Sequence, residues 1–449
     1  MFKRKILSEM LDWKASKSSK RKAIVIKGLR QVGKTFTAME YARTLYENVI
    51  YINFKTEVSL KRAFDGDLDV DTLTIGLSAM RPDIRFIPGK TILVMDEVQE
   101  CANARASIKP FMEDGRYDVI CTGSLLGIKG YNKKKGSGVP TGYEHIVYMM
   151  PMDFEEFLWA KGIDDSVIDH IRGCFRDCRP VDEPIHSAMF RYFSEYICVG
   201  GLPHVVDTFV STSDMNTVRM EQNDILEEYR DDFGKHLDED EREMTDAVLL
   251  ARINRVFDSI PSQLAKENKK FQYSLLSKNA RGSEYQAAIQ WLVDFGVAAR
   301  CHNLNSLEMP LEGNKSDEAF KLYLQDSGLL VAMLEPGSAG RIMSGDLGIY
   351  KGAIYEEIVA DGLVKMGRKL YYYRRDSGSE IDFIIGFRGK TTLVEVKAKR
   401  GSVTSADYIL ADKENYDVET CIKLGRTNVG HENGKLTLPY YMTFLLTEY

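Results

Sequence analysis

The chain has 449 residues, and at roughly 100 to 200 residues per domain that length predicts several domains rather than one. Hydrophobic residues make up 44% and charged residues 28%, a soluble globular balance that excludes disordered, collagen-like and coiled-coil chains. Sixty Lys plus Arg against 66 Asp plus Glu give a net charge of -6, so adhesion to nucleic acid or to a membrane is not a global property and would need a local patch.

Seven cysteines without a Cys-x-x-Cys pair do not make a disulfide framework or a zinc site. Cys174 and Cys178, the closest pair, read as packed or free thiols. No run reaches the length of a membrane helix, and Ser8, Glu9, Asp12 and Lys14 break up any signal-like apolar stretch after Met1. A cytoplasmic protein with no membrane partner is expected.

In chain order, residues 1 to 22 predict a short amphipathic helix with Phe2, Ile6, Leu7, Met10, Leu11 and Trp13, then a basic linker from Lys14 to Lys22. Ala23 to Ile26 is a strand, a glycine-bearing loop follows, and Phe36 to Leu45 is a helix. Further strands are predicted at Val49 to Phe54, Thr91 to Met95 and Val119 to Thr122, which makes a parallel α/β sheet the economical architecture. From about residue 155 to 260 helical periodicity dominates, with an acidic run from Asp224 to Glu241. Ser283 to Gln286 has the form of a capping box, opening a helix with Tyr285, Ile289, Leu292 and Val293 on one face that Gly296 ends. From about 340, a helix at Ala353 to Met366 precedes strands at Leu370 to Tyr373, Ile381 to Phe387 and Thr392 to Lys397, a separate α/β unit.

Gly28-Leu29-Arg30-Gln31-Val32-Gly33-Lys34-Thr35 matches Gly-x4-Gly-Lys-Ser/Thr in the required setting between strand and helix. The glycines let successive N–H groups converge on a phosphate, the following helix adds its positive end, and Lys34 brings a mobile point charge. ATP is the expected ligand, held by Gly28, Gln31, Val32, Gly33, Lys34, Thr35 and Phe36, with Thr35 holding Mg²⁺. The bland alternative is a glycine turn with an exposed Lys34. Ile92 to Glu97 is an apolar strand delivering two acids at its carboxyl end, where ligands gather in open α/β sheets. Asp96 would join the Mg²⁺ shell and Glu97 would orient or deprotonate the attacking water; alone, the pair could equally cap a helix. Ser124, after Cys121-Thr122-Gly123, would act catalytically beside Lys34 by sensing the γ-phosphate, or would cap a helix. Arg81, Arg85, Arg105 and Arg116 lie in the same region, and spacing selects none of them as an arginine finger.

Near the carboxyl end, Ile381 to Phe387 and Lys390 to Val396 can pair as an antiparallel hairpin about an Arg388-Gly389 turn. That register sets Asp382 opposite Glu395, with Glu380 and Lys397 on the same face. Facing carboxylates destabilise a sheet unless a divalent cation or a basic partner joins them. A second metal site at Asp382 and Glu395, with Glu356 or Glu357 from the preceding helix and Lys397 beside it, is one reading. A solvated charged face neutralised by Arg374, Arg375 and Lys399 is the other.

Taken together, Gly28 to Thr35, Met95-Asp-Glu-Val-Gln-Glu100, Thr122-Gly-Ser124, Pro151-Met-Asp-Phe-Glu-Glu-Phe-Leu158, Gly200-Gly-Leu-Pro203 and Ile381-Asp-Phe followed by Glu395-Val-Lys397 resemble a family of bacterial and archaeal AAA-type P-loop ATPases with a C-terminal region of uncharacterised role. The resemblance spans nearly the whole chain. It implies an AAA-like P-loop core at 1–160, a helical lid or linker at 161–240, a winged-helix-like domain at 241–337 and a restriction-endonuclease-like α/β domain at 338–449. In that last domain Glu356, Asp382, Glu395 and Lys397 fall on the motif acids and lysine. Where many relatives carry Gly-Arg before the Pro-x-x-Phe segment, this chain has Gly142-Tyr143.

The expected function is a Mg²⁺-dependent ATPase coupling nucleotide state to its C-terminal domains, with DNA or RNA, a protein partner or other copies of the chain as candidate partners. The alternatives are an ATP-gated metal-dependent nuclease and a non-hydrolysing ATP-binding switch. Glu284, Gln286, Gln290 and Asp294 on the predicted recognition helix offer little to phosphates, whereas Lys266, Lys269, Lys270, Lys278 and Arg281 are either phosphate contacts or solvated loop charge.

Overall fold

Ala23-Ile24-Val25-Ile26-Lys27-Gly28 is buried along its whole length, as a strand in the middle of a parallel sheet must be. In the computed structural model, which describes residues 2–15, 22–124, 140–235, 243–346, 351–374, 378–397 and 404–447, it forms β1 (Ala23–Gly28). Residues 16–21 of the basic linker, the acidic run beyond 235, Arg375 and Lys399 lie outside the described residues. Around β1 come α1 (Lys5–Ala15), α2 (Lys34–Leu45), β2 (Asn48–Asn53), α3 (Val70–Met80), β3 (Thr91–Asp96), α4 (Ala102–Ala106), α5 (Ile108–Asp114), β4 (Asp118–Ser124) and β5 (Glu144–Met149). The strands pair in parallel in the order β2-β3-β4-β1-β5, so the loop after β1 and the ends of β3 and β4 share one edge.

Strand β5 has no counterpart among the predicted elements. It lies at the sheet's edge with Ile146 and Tyr148 exposed, so it lacks the continuous apolar run that marked the inner strands. Alternation along β1 divides the core. Ala23 and Val25 face a cluster with Leu73, Leu93 and Phe111, while Ile24 and Ile26 join a larger one that runs on through α2 into the helices beyond Pro151.

Those helices are α6 (Phe154–Ala160), α7 (Asp165–Arg176), α8 (Glu183–Val199), α9 (Pro203–Thr212), α10 (Met215–Lys235), α11 (Glu243–Leu264) and α12 (Gly282–Phe295). Among the described residues none is long and apolar enough to cross a membrane. Helix α12 starts two residues earlier than the Ser283 cap predicts: Glu284 Oε2 accepts from the Arg281 N–H at 3.2 Å, and Gly296 ends the helix in the left-handed region at φ 87°. All seven cysteines are free thiols, Cys174 buried and Cys178 exposed.

After α12, β6 (Ala298–Leu304) and β7 (Lys315–Leu324) form an antiparallel hairpin that a purely helical reading of this stretch omits. Then come α13 (Ser327–Ala332), α14 (Ser338–Met343), α15 (Lys351–Lys365), β8 (Leu370–Arg374), β9 (Glu380–Ile381), β10 (Phe383–Phe387), β11 (Lys390–Val396), α16 (Thr404–Ala411), β12 (Thr420–Gly425), β13 (Gly430–Glu432) and β14 (Lys435–Pro439). One sheet has the order β10-β11-β12-β14-β13 and the other β7-β6-β8-β9. Cys301 of β6 pairs in parallel with Leu370 of β8, so the second sheet draws strands from both sides of residue 337.

The Gly200-Gly201 segment fastens the sheet domain to the helices. Met152 N–H donates to Gly201 O at 2.6 Å, and Gly201 N–H donates to Asp326 Oδ2 at 2.7 Å. A Cβ on Gly201 would lie 2.0 Å from Met152 O, and one on Gly200, at φ 76°, would lie 2.1 Å from Asp326 Oδ1. Backbone must move to admit the first, and the buried Asp326 carboxylate to admit the second. Gly201→Ala is expected to destabilise the fold by at least about 2 kcal/mol, read as a lower urea midpoint, whereas Gly352→Ala, with open space around it, leaves the midpoint unchanged.

Candidate functional site

Backbone shape comes first. Gln31 at φ 63° and Gly33 at φ 92° are both left-handed, and together they curl residues 28–33 back over the first turn of α2. The curl carries Lys34 inward. Its side chain is 7% exposed, and its ammonium donates to Gly28 O at 3.1 Å and Leu29 O at 2.7 Å. No ion-pair partner for it occurs among the described residues. Burial lowers its pKa to about 8, with the Arg30 charge pushing the same way and Glu97 and Asp96 opposing.

Asp96, 2% exposed, sits at the end of β3 amid hydroxyl and amide donors. Thr35 Oγ1 lies 3.0 Å from both its oxygens, Tyr51 OH donates to Oδ2 at 2.7 Å, Asn53 Nδ2 donates at 3.0 Å, and the Thr122 hydroxyl donates to Oδ1. The in-register pairing of Asn53 with Asp96 brings the end of β2 to the site. Burial first, and then the bond to Asp96, raises the Tyr51 phenol to about 12. Tyr51 and Asn53 escaped sequence reasoning; their only signal is that each stands at or near the carboxyl end of a strand, with Asn53 at the end of β2.

Glu97 follows in the left-handed region at φ 52°, an unusual place for a non-glycine residue and a reservoir of backbone strain at the strand's end. Its carboxylate accepts from the Gln99 side chain. Ser124 closes β4 directly beside Gly28 of β1. Val32 is buried and Phe36 is exposed on the first turn of α2. The structure therefore gathers Gly28, Gln31, Val32, Gly33, Lys34, Thr35, Asp96, Glu97 and Ser124 along one edge of the sheet. The arginines are engaged elsewhere: Arg81 with Glu57 at 2.5 Å, Arg105 with Glu144 at 2.7 Å and Arg116 with Asp71 and Asp114, while Arg85 is exposed. Tyr143 OH donates to Glu113 Oε1.

Whether the residues fit a magnesium-bound triphosphate follows from the donor set. A buried ammonium lacking a carboxylate partner asks for an anion, and a Thr hydroxyl beside a buried Asp is the oxygen pair that hard divalent cations take. The fit is good.

The C-terminal acids are arranged differently. The hairpin has the predicted register, with Phe383 opposite Val394 and Phe387 opposite Lys390. Asp382, however, falls between β9 and β10 rather than in the ladder, because Ile381 pairs with Tyr373 of the other sheet. Its Oδ2 accepts from the Val396 N–H at 2.8 Å. The charged face is also not solvated: Glu356 is 2% and Glu395 1% exposed.

The cation that neutralises this cluster is Lys321 of β7, fully buried, which reaches Glu356 Oε1 at 2.9 Å and Glu380 Oε1 at 2.6 Å. Tyr323 OH and Lys269 complete the bonding of the two Glu356 oxygens, and Lys397 pairs with Glu395 at 2.6 Å. Burial would raise the Glu356 carboxyl, but Lys321 and Lys269 bring it down to about 2. Asp382 is pushed up to about 7 by burial and the Glu356 charge. Among the described residues, no group of three or more His, Cys, Asp or Glu side chains is placed to hold a metal ion. Lysines sit on both Glu356 oxygens, on Glu380 Oε1 and on Glu395 Oε2, while Glu395 Oε1 is buried without a hydrogen-bond partner. Lys269 is thereby engaged with Glu356 rather than free for phosphate, and Glu357, fully buried, accepts from the Leu324 N–H at 3.3 Å.

Family models match three stretches of the chain: an AAA domain at residues 20–158, a domain of unknown function (DUF8612) at 190–339 and another (DUF4143) at 351–441. No curated protein matches the sequence. Among solved structures, the Aeropyrum pernix ORC2 protein in its ADPNP–ADP complexes is 13% identical with a TM-score of 0.35, covering 79% of this chain and 92% of that one. AMPPCP-bound DnaA from Aquifex aeolicus is 12% identical with a TM-score of 0.26, covering 65% and 81%. At those scores the likeness carries no argument about function. The chain thus carries a stretch that matches an AAA domain at residues 20–158, followed by two stretches that match domains of unknown function.

Proposed function

We propose that the protein binds ATP with Mg²⁺ at residues 28–36 and hydrolyses it, coupling nucleotide state to its C-terminal domains. The observation that carries this reading is the buried Lys34 ammonium at the head of α2 with no carboxylate partner among the described residues, next to Thr35 and Asp96. Lys34 would neutralise the β- and γ-phosphate oxygens, and loop N–H groups with the α2 terminus would cradle them. Thr35 and Asp96 would hold Mg²⁺, which adds positive charge to the phosphate oxygens when bound. Glu97 would orient or deprotonate the attacking water, and Ser124, beside Gly28, would contact the γ-phosphate.

A second reading, a non-hydrolysing ATP switch acting on a protein partner, has one observation in its favour. Arg81, Arg105 and Arg116 are held in ion pairs within the sheet domain, so each would have to leave a partner to reach a phosphate. A nuclease reading of the C-terminal cluster is disfavoured by the lysines on its acids. Nucleic acid remains a candidate target of the ATP-driven movement, through Lys266, Lys270, Lys278 and Arg281, and assembly with further copies of the chain is a candidate too.

With purified protein, ATP and Mg²⁺, Lys34→Ala is expected to abolish binding, while Glu97→Gln keeps binding and lowers turnover by about 100-fold or more. Tight binding with no turnover in the unaltered protein would establish the switch reading instead.

ATP affinity should fall as pH rises through about 8, because the lowered Lys34 pKa means the ammonium is lost there. Titrations of ATP affinity at pH 7 and 9 test this.

Lys321→Met should cost about 3–5 kcal/mol in urea unfolding, since it takes the buried ammonium from Glu380 and leaves buried Glu356 with Lys269 as its remaining cation. Lys321→Met with Glu356→Leu should recover most of that loss. DNA or RNA cleavage in Mg²⁺ or Mn²⁺ that Asp382→Ala abolishes would establish the nuclease instead.

A further inference from the structure

The curled loop is gripped from two sides by residues outside the matched AAA domain. From the N-terminal side comes Arg4, 9% exposed, just before α1. Its guanidinium donates to Val32 O at 2.9 Å, to Met150 O at 2.7 Å and to Glu156 Oε1 at 3.0 Å. Glu156 is 4% exposed and is itself fixed as the third residue of α6, reaching back to the Asp153 N–H at 3.2 Å while Asp153 accepts from the Glu156 N–H at 2.9 Å. It also accepts from the Lys5 N–H at 2.7 Å. Arg4 is therefore a rigid fork, not a swinging surface charge.

The other side is α10. Tyr229, fully buried, donates its hydroxyl to Arg30 O at 3.2 Å. One turn along, fully buried Asp232 pairs with the Arg30 guanidinium at 2.5 Å, and Glu228 accepts from Gln31 Nε2 at 2.6 Å. Three neighbouring residues of one helix thus meet two neighbouring residues of the loop.

A trans peptide points its C=O and the next residue's N–H in opposite directions. With Arg30 O turned out toward Tyr229, the N–H of Gln31 is turned the other way. With Val32 O turned out toward Arg4, the N–H of Gly33 is turned the other way too. We propose that Arg4 and Tyr229 are positioning residues for the nucleotide: each anchors one loop carbonyl from outside so that the Gln31 and Gly33 N–H groups face the phosphates before ATP arrives. Neither touches the nucleotide. The loop's left-handed residues, Gln31 and Gly33, are the two whose N–H groups are set in this way, so the clamps hold the part of the chain with most freedom to relax. Since Tyr229 lies within the DUF8612 stretch, that domain helps to shape the nucleotide site.

This proposal rests on the ATP reading, and the test separates the two. Mg²⁺-dependent binding of a fluorescent ATP analogue and steady-state turnover are measured for the unaltered chain, Lys34→Ala, Tyr229→Phe and Arg4→Lys, together with the melting temperature without nucleotide. Tyr229→Phe removes one hydroxyl and keeps the ring, so affinity is expected to weaken about threefold to tenfold, with KM rising more than kcat falls. Arg4→Lys keeps a charge for Glu156 but loses the fork, and should weaken affinity at least as much. Should Arg4→Lys fail to fold, Tyr229→Phe decides. If the unaltered chain binds and Lys34→Ala does not, but Tyr229→Phe binds like the unaltered chain, the proposal is overturned. It is also overturned if affinity falls only in step with the nucleotide-free melting temperature. If the unaltered chain binds no ATP, both readings fall.

Discussion

A buried ammonium that has only carbonyl oxygens for company is the constraint on which the rest of the site depends. Lys34 is 7% exposed, and burial, against the pull of Glu97 and Asp96, lowers its pKa to about 8. Such a group is costly unless something negative joins it. The fold could have placed a carboxylate against it, as it does for Lys321 and Lys365, each paired with a buried acid. At Lys34 it places peptide groups and a helix terminus instead, so the nearest carboxylates influence the charge without neutralising it. A site left positive in this way discriminates for polyanions by the absence of an internal competitor.

The C-terminal cluster solves a related electrostatic problem in the opposite manner. Four acids, Glu356, Glu380, Asp382 and Glu395, converge where two sheets meet, and Lys321, Lys269 and Lys397 come in to meet them. Lys321 arrives from β7, the hairpin of the preceding domain, through a sheet that β6 and β8 share. The neutralising charge therefore belongs to a different sequence region from the acids. That arrangement makes separating the two regions costly, because withdrawing β7 would leave Glu356 buried with half its bonding gone. What resembles a catalytic acid constellation in sequence is held, in the structure, by lysines that reach it from outside the acids' own stretch of chain.

The legible parts of the molecule were those where local pattern and global environment agree. The loop after β1 declares itself through glycine spacing and a flanking apolar strand, and the β10–β11 register follows from a two-residue turn, as Phe387 opposite Lys390 bears out. The illegible parts depend on long-range placement. Strand β5 is an edge, so its side chains alternate in burial only weakly and Ile146 and Tyr148 remain exposed. Asp382 left the ladder because Ile381 pairs with Tyr373 of another sheet, which a hairpin considered alone cannot reveal. The roles of Tyr51 and Asn53 depend on β2 lying beside β3, and a parallel sheet's strand order is not written in any single strand. Lys321 was invisible for the same reason: in a strand whose outer half is exposed, one lysine near the apolar end looks like surface charge.

The clamps on the nucleotide loop show why such distant contacts can still be decisive. Arg4 and Glu156 are 152 residues apart, and Tyr229 and Arg30 are 199 apart. Closing the longer separation rather than the shorter adds only a small entropic term, since doubling a loop costs about 0.6 kcal/mol. A neutral hydrogen bond of about 0.5–1.5 kcal/mol, such as that of Tyr229 to Arg30 O, outweighs that difference. The larger cost has already been met by the apolar cluster that runs from Ile24 and Ile26 through α2 to Phe157, Tyr196 and Tyr229. Burial brings the helices to the loop without regard to direction, and the few polar contacts that remain then choose which way its peptide groups point. In this molecule the non-directional force builds the site's walls, and a guanidinium and a phenol supply its orientation.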